Sequence, residues 1–595
     1  MVSLNEKTVE LQATSASYFE DIHQDDTEFI NGSNNSTISK KSLEGIEAWL
    51  SITGLVFGYI ASQQLGNQAG ALMMIINADL GPKDYYYWLS VSSLLGGTLG
   101  WAHAGPLSDQ YGRRPIIIFG NCIALLGAIV GASAQHLYVV ILGLLVAGLG
   151  SGGQLQAVAV LSESVRNKDR GWVQGLLYLS PFPFLATGQI VAVAIGSHTT
   201  WRWIFYLNII LNAVSLILVA LFFNPPSKSQ ARESHVWKKP ISWKYFDMLS
   251  MLLMTVFITC VGLAAVWGGF GKYKWNTAAI LVPLFFGITS AVLLWPHTHY
   301  FAQNAFYPTI MFQNLKGFVF LILAGALSAF CLASMNLIYP QEITALFTTD
   351  IMKAARYQLA SGFGAEFGVL VAGMSMRSVG STNLMLTTAA ILVALFVGLM
   401  ASVTPGSIKG TLAYTFLGHF GGGCVKTLIF VSVTYAVPDV LIGAALAILN
   451  LGWSFGPAFA LGTYLTIVRS RVGATFVQNI SQAVLPLGLP PASLPAFLEA
   501  IAAGNQYSLM KIPGVSLPII SAAIQATKST YADAFQIVWF VGMAAGIMAI
   551  PFAFLTQDVG PAMNGHLAVV GMTERSILRG LRGKTQKKQM QEVVV

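Results

Sequence analysis

Fourteen apolar segments, each about as long as a lipid bilayer is thick, leave this chain few ways to fold. They lie near residues 46–75, 84–104, 115–134, 137–162, 171–196, 203–223, 247–267, 277–295, 317–338, 356–376, 383–404, 411–434, 440–466 and 534–556. A membrane crossing needs ~20 mostly apolar residues, and in hydrocarbon only helices and closed barrels satisfy their own backbone. These segments are continuous and lack the ten-residue alternation of a barrel strand. The expectation is an all-α polytopic membrane protein. Charge agrees: only 10% of the 595 residues are charged, against roughly 25% in a soluble domain.

Two polar interruptions matter, one after the sixth span and one between the thirteenth and fourteenth. Residues 224–245 read as a basic linker. Residues 467–533 read as a long loop with amphipathic stretches and the proline-rich "LPLGLPPASLP". The expected order is a polar, disordered tail over 1–44, a six-helix bundle over 45–223, the linker, two inserted helices over 246–296, a second six-helix bundle over 297–557, and a basic tail over 558–595. No apolar core with a cleavage site follows Met1, so a secretory leader is not expected. An even number of spans puts both tails on one side. If that side is cytosolic, about 21 Lys and Arg lie inside and about 11 outside, with Lys426 within a span; the positive-inside rule favours that orientation. The sequon at Asn479 then faces outward, where glycosylation is possible, whereas those at Asn31 and Asn35 would be cytosolic.

The net charge of +8 belongs to such loops, because no basic run is interleaved with base-stacking aromatics. Nucleic acid is therefore not an expected partner. Cys122, Cys260, Cys331 and Cys424 all fall in apolar runs and suggest neither disulfides nor metal-ligand spacing. No cofactor or metal is expected, and a monomer is.

Between the second and third spans lies "GPLSDQYGRRP", residues 105–115. A short turn between two membrane helices calls for glycine freedom and for positive charge to hold it in the cytosol. Asp109 can pair with Arg113, with Arg114 or with a helix terminus. The full spacing, Gly105, Leu107, Ser108, Asp109, Gly112, Arg113 and Arg114, resembles the G-x-L-a-D-x-x-G-R-R/K signature of the major facilitator superfamily. That resemblance implies a gating network in which the Asp and first Arg join an acid at the end of the fourth helix, a position held here by Glu163. Gly373, Arg377 and Gly380 in "GMSMRSVG" faintly repeat the spacing. Six, two and six spans and "WRWIFYLN" (201–208) resemble the fourteen-helix branch. "SESVRNKDRG" (162–171), "WGGFGKYKWN" (267–276) and "YPQEITALFTTD" (339–350) resemble its fungal group of trichothecene efflux pumps and, more distantly, siderophore transporters. The likeness covers roughly residues 45–570. Two departures stand out. Leu144 occupies the fourth-helix position where many proton-coupled exporters carry Arg, and Gly188-Gln189 replaces their fifth-helix Gly-Pro pair.

An ionisable group at the bilayer centre costs ~2.5–3.5 kcal/mol on insertion scales and marks a functional site by default. Four lie within the spans: His103, Glu366, His419 and Lys426. Glu366 sits near the middle of "LASGFGAEFGVLVAGM" (359–374). His419 and Lys426 are two helical turns apart and share a face. These three are the proton-coupling candidates; the alternative is a structural Glu–Lys pair, or a permanently protonated carboxyl. His103, two residues before the signature loop, fits gate packing better than proton transfer. Gln63, Gln64, Asn67 and Gln68 in the first span, with Gln154, Gln156 and Gln189, are uncharged donor–acceptor groups suited to an oxygen-rich neutral substrate. Interhelical hydrogen bonding explains them equally well. The aromatics at 85–88, 201, 203 and 275 read as interface belts, and "LLVAGLGSGG" (144–153) reads as helix packing.

The expected function is secondary transport, driven by a proton gradient, with export of a bulky and mostly neutral toxin or secondary metabolite such as a trichothecene. The plasma membrane is the expected site, a vacuolar or vesicular membrane the alternative. Import of a ferric siderophore is the second reading, and a receptor that has lost transport the third. No nucleophile elbow, Walker motif or clustered metal set argues for an enzyme.

Overall fold

The computed structural model describes residues 46–225, 246–502 and 509–565. The 1–44 tail, most of the 558–595 tail and most of the 224–245 linker lie outside the described residues. Residues 50–570 form one compact unit; of the other, residues 1–49 with 571–595, only Ile46–Trp49 is described.

Each expected span is met by helix. In chain order these are α1 (Ile46–Ala71), α2 (Trp88–Tyr111), α3 (Arg113–Ala132) and α4 (Leu137–Gln154, resumed at Ala157–Ser164). Next come α5, in three pieces (Arg170–Leu179, Phe182–Leu185, Gly188–His198), α6 (Trp203–Phe222), α7 (Met248–Gly269) and α8 (Ala278–Pro296). The last six are α9 (Phe320–Glu342), α10 (Ile351–Val379), α11 (Thr382–Met400), α12 (Ile408–Ala436), α13 (Ile442–Val484) and α14 (Leu517–Leu555). No strand occurs among the described residues.

Eleven of the described helices are long and apolar enough to cross a membrane. The other three expected spans are α1, α2 and α5, and each has a local reason. The amides at 63–68 dilute α1. Glycines, serines and the end of the signature loop dilute α2. Pro181 and Pro183 cut α5 into short pieces, since proline lacks the donor and clashes with the preceding turn.

Within the first half α3 and α2 pack on α4, and α6 packs on α3. Within the second, α9 packs on α13 and α14, α10 and α11 on α12, and α11 on α14. The halves meet along two seams, α2 against α13 and α5 against α10, and the α7–α8 pair attaches to α2 and α13.

Two helices overshoot the expected spans. At 1.5 Å per residue, the 43 residues of α13 run about 64 Å, twice a hydrocarbon core. With the 39-residue α14 it projects beyond the bundle, and a small core of Ile480, Val484, Leu489, Phe497 and Ile519 holds the projection together. Much of the expected 467–533 loop is therefore helix.

Candidate functional site

One end of the bundle, here the latch face, gathers the turns after α2, α4, α10, α12 and α14. Gly112 takes φ +98°, a left-handed value open to glycine, and lets the chain turn from α2 into α3. Gly105 lies so close to α13 that an added Cβ would stand 2.7 Å from the Ala447 Cβ. That approach delivers Asp109 to the start of α13, where its carboxylate accepts from the N–H of Gly443 (3.1 Å) and of Ala444 (2.7 Å). These are orphan donors at the positive end of a helix dipole, so a carboxylate suits them. Arg113 Nη2 pairs with Asp109 at 2.7 Å. The same guanidinium binds Glu163, its Nε donating at 3.3 Å, and Ser108. Arg114 turns away to Asn224 and the Ala220 carbonyl. Asp109, Arg113 and Glu163 thus form one buried network that reaches across the first seam.

A second set of contacts crosses at α5. Arg170, only 1% exposed, donates to the Thr434 carbonyl (2.9 Å), pairs with Asp439 (3.4 Å) and lies over the Tyr435 ring. Tyr435 donates to the Asn167 carbonyl, and Asn167 donates to Ala562 and Asn564 beyond α14. The two halves are joined at this face by both seams.

About midway along the helices, charge and aromatic rings meet. Glu366 is thirteen residues from the latch-face end of α10, about 20 Å, and Lys426 ten residues from that of α12, about 15 Å. Glu366 is 4% exposed and its Oε2 has no hydrogen-bond partner. Lys426 acts on it electrostatically, without an ion pair inside 4 Å. The Lys426 ammonium stands 5.9 Å from the centroid of the Tyr178 ring on α5. On the latch side of this pair, Trp101 of α2 stacks on Phe430 of α12 (5.6 Å), and Tyr178 meets Phe430 edge-on (6.4 Å). Tyr59 and Trp453 flank the group. Trp101, Tyr178 and Phe430 are buried, so rings from both halves pack together between the charged pair and the latch face.

His419 is placed apart from them. It bonds the Thr415 carbonyl of its own helix (2.9 Å) and Asn336 of α9 (3.1 Å). His103 bonds Thr255 of α7 (2.9 Å), with the Tyr307 hydroxyl nearby.

The amides divide similarly. Gln64 binds Gln68 and the Ile204 carbonyl and accepts from Asn208 of α6 (2.9 Å). Asn208 accepts in turn from Asn212 (2.8 Å), and Gln154 binds both Asn212 and Asn121. This ladder ties α1, α3, α4 and α6 together inside the first half. Asn67 donates to the Phe184 carbonyl at the break in α5 (3.1 Å). Gln63 bonds Ser62, Gln156 bonds Ser108 of the latch (2.9 Å), and Gln189 is half-buried on α5. Asn479, the sequon residue, donates to Thr530 across the projecting helices (2.8 Å).

Sequence reasoning missed three things. Asn208 and Asn212 stand four apart in "YLNIILN", a visible amide stripe. Glu342 is 1% exposed with one unpaired oxygen, although it lies past the expected 317–338 span. The ring cluster carries no signal, because tyrosine or phenylalanine within an apolar run is compositionally ordinary.

Comparison with known proteins agrees with this architecture. The family described as Fungal trichothecene efflux pump (TRI12) matches residues 50–572, all but the two ends. A trichothecene efflux pump of Fusarium sporotrichioides is 23% identical over 84% of each chain. A major facilitator efflux transporter of Aspergillus oryzae is 23% identical over 87% of this chain and 90% of its own. Multidrug resistance protein 3 of Bacillus subtilis is 22% identical over 80% and 93% respectively. The chain belongs to the fungal trichothecene efflux pump family, within the major facilitator superfamily.

Proposed function

We propose that this member of the fungal trichothecene efflux pump family exports a bulky, mostly neutral organic compound of the trichothecene kind. It does so from the cytosol across the plasma membrane, at the expense of a proton gradient. The latch face is then cytosolic, with both tails on that side, and the protein works as a monomer. Alternating access follows from two halves that part at one face while closing at the other. The network of Asp109, Arg113 and Glu163, with Gly105 and Gly112 shaping its turn, holds the cytosolic side shut. Opening requires that Asp109 leave the start of α13 and Arg170 leave Asp439.

The observation that carries the reading is the mid-depth pair. Glu366 is buried with an open oxygen, and Lys426 acts on it without bonding it. A carboxylate so placed can take a proton when one face is open and lose it to the other, while Lys426 stabilises the ionised form. His419, bonded to Asn336, supports the α9–α12 packing beside it.

Expression in yeast tests the export claim. Cells carrying the protein at their surface should accumulate less of a labelled trichothecene than control cells, and a protonophore should restore accumulation. Equal accumulation in the two strains contradicts the proposal and turns the search to ferric-siderophore uptake.

A further inference from the structure

We infer that Lys426 is a charge filter: with the rings of Trp101, Tyr178 and Phe430 it admits uncharged ring-bearing molecules to the central site and rejects lipophilic cations. The inference rests on the mid-depth pair proposed above, takes the space beside that pair as the central substrate site, and adds which molecules enter it.

Three observations carry it. The rings come from opposite halves, Trp101 and Tyr178 on one and Phe430 on the other, and are buried against each other. When the cytosolic side opens they must separate, which exposes apolar surface to water. A guest with a rigid apolar body restores the lost contacts; a flexible or strongly hydrated one does not. Secondly, Lys426 Nζ makes no hydrogen bond or ion pair among the described residues; its neighbour is the Tyr178 ring. An ammonium held in this setting has donors to offer and no acceptors, so it suits a guest bearing carbonyl, ester or ether oxygens. Thirdly, the charges facing this point are few. Glu366 comes from α10 and Lys426 from α12, while His419 is turned to Asn336. When Glu366 carries a proton, no negative charge offsets the Lys426 ammonium, and a cationic guest meets like charge in a poorly hydrated place. Aromatic faces by themselves attract cations, quaternary ammonium ligands among them. Here the same rings are guarded by a lysine.

The full chain in lipid nanodiscs provides the test, with tryptophan fluorescence as the readout, since Trp101 and Trp453 lie in the cluster. The probe is tetraphenylphosphonium. Wild-type protein should bind it weakly. Lys426→Gln should bind it roughly tenfold more tightly, because Glu366 then stands unopposed, and Lys426→Met should do the same should the glutamine variant fold poorly. The gain should vanish in Lys426→Gln combined with Glu366→Gln. Equal affinity in the wild type and both single variants overturns the inference, as does tight binding by the wild type. This outcome is independent of the export claim: a cation gain in a protein that never lowers trichothecene accumulation upholds the filter and removes the trichothecene reading.

Discussion

At the scale of single residues, charge was the legible quantity. Glu366 and Lys426 stand out in apolar runs because a bare charge there is costly and is retained for a reason. Amides are harder to read, since one side chain serves packing or binding with the same groups. Gln64 and Gln154 face inward to Asn208 and Asn212, and that pairing depends on how α6 lies against α1 and α4, which no local pattern encodes. Each such bond contributes about 0.6 kcal/mol within a membrane, enough to orient helices. Rings were invisible for a different reason: Tyr178 and Phe430 acquire meaning only when two distant helices bring them together. Glu366→Gln keeps the shape of the side chain and removes its proton exchange. The expected result is a folded protein whose transport, followed between about pH 5 and 8, no longer changes with pH. A wild-type pH profile in that variant would exclude Glu366 from coupling.

Among the elements, spans were read from apolar length, and the exceptions follow from local chemistry. Prolines divide α5, amides dilute α1, and α13 continues far past its apolar stretch because nothing in residues 467–484 breaks a helix. A hydropathy window measures where lipid is tolerated, and a helix ends where its backbone must, so the two limits differ at α13 and α14. The signature loop was legible to the individual residue. Asp109 had three possible partners and takes two, Arg113 and the start of α13. Charge-assisted bonds of this kind are roughly twice as strong as neutral ones. Asp109→Asn weakens the bond at both partners and should slow turnover in proteoliposomes roughly tenfold, at acid and neutral pH alike. Turnover equal to wild type would count against the latch.

For the molecule as a whole, a many-span helical architecture followed from the count of apolar segments, whereas the division into six, two and six rested on the family resemblance; pairing of α2 with α13 and α5 with α10 sets where the halves meet. Both seams are bonded at one face, and the ring cluster packs on the same side above them. In the proposed rocking cycle, this conformation is the one with its signature-loop side shut. A proton gradient should drive this cycle in one direction only. The decisive measurement is uptake of a labelled trichothecene into inside-out plasma-membrane vesicles from yeast expressing the chain. With the vesicle interior made acid, the account predicts accumulation that a protonophore abolishes and that Glu366→Gln lacks. Accumulation indifferent to the gradient, or driven by a gradient of the opposite sense, would contradict proton-coupled export.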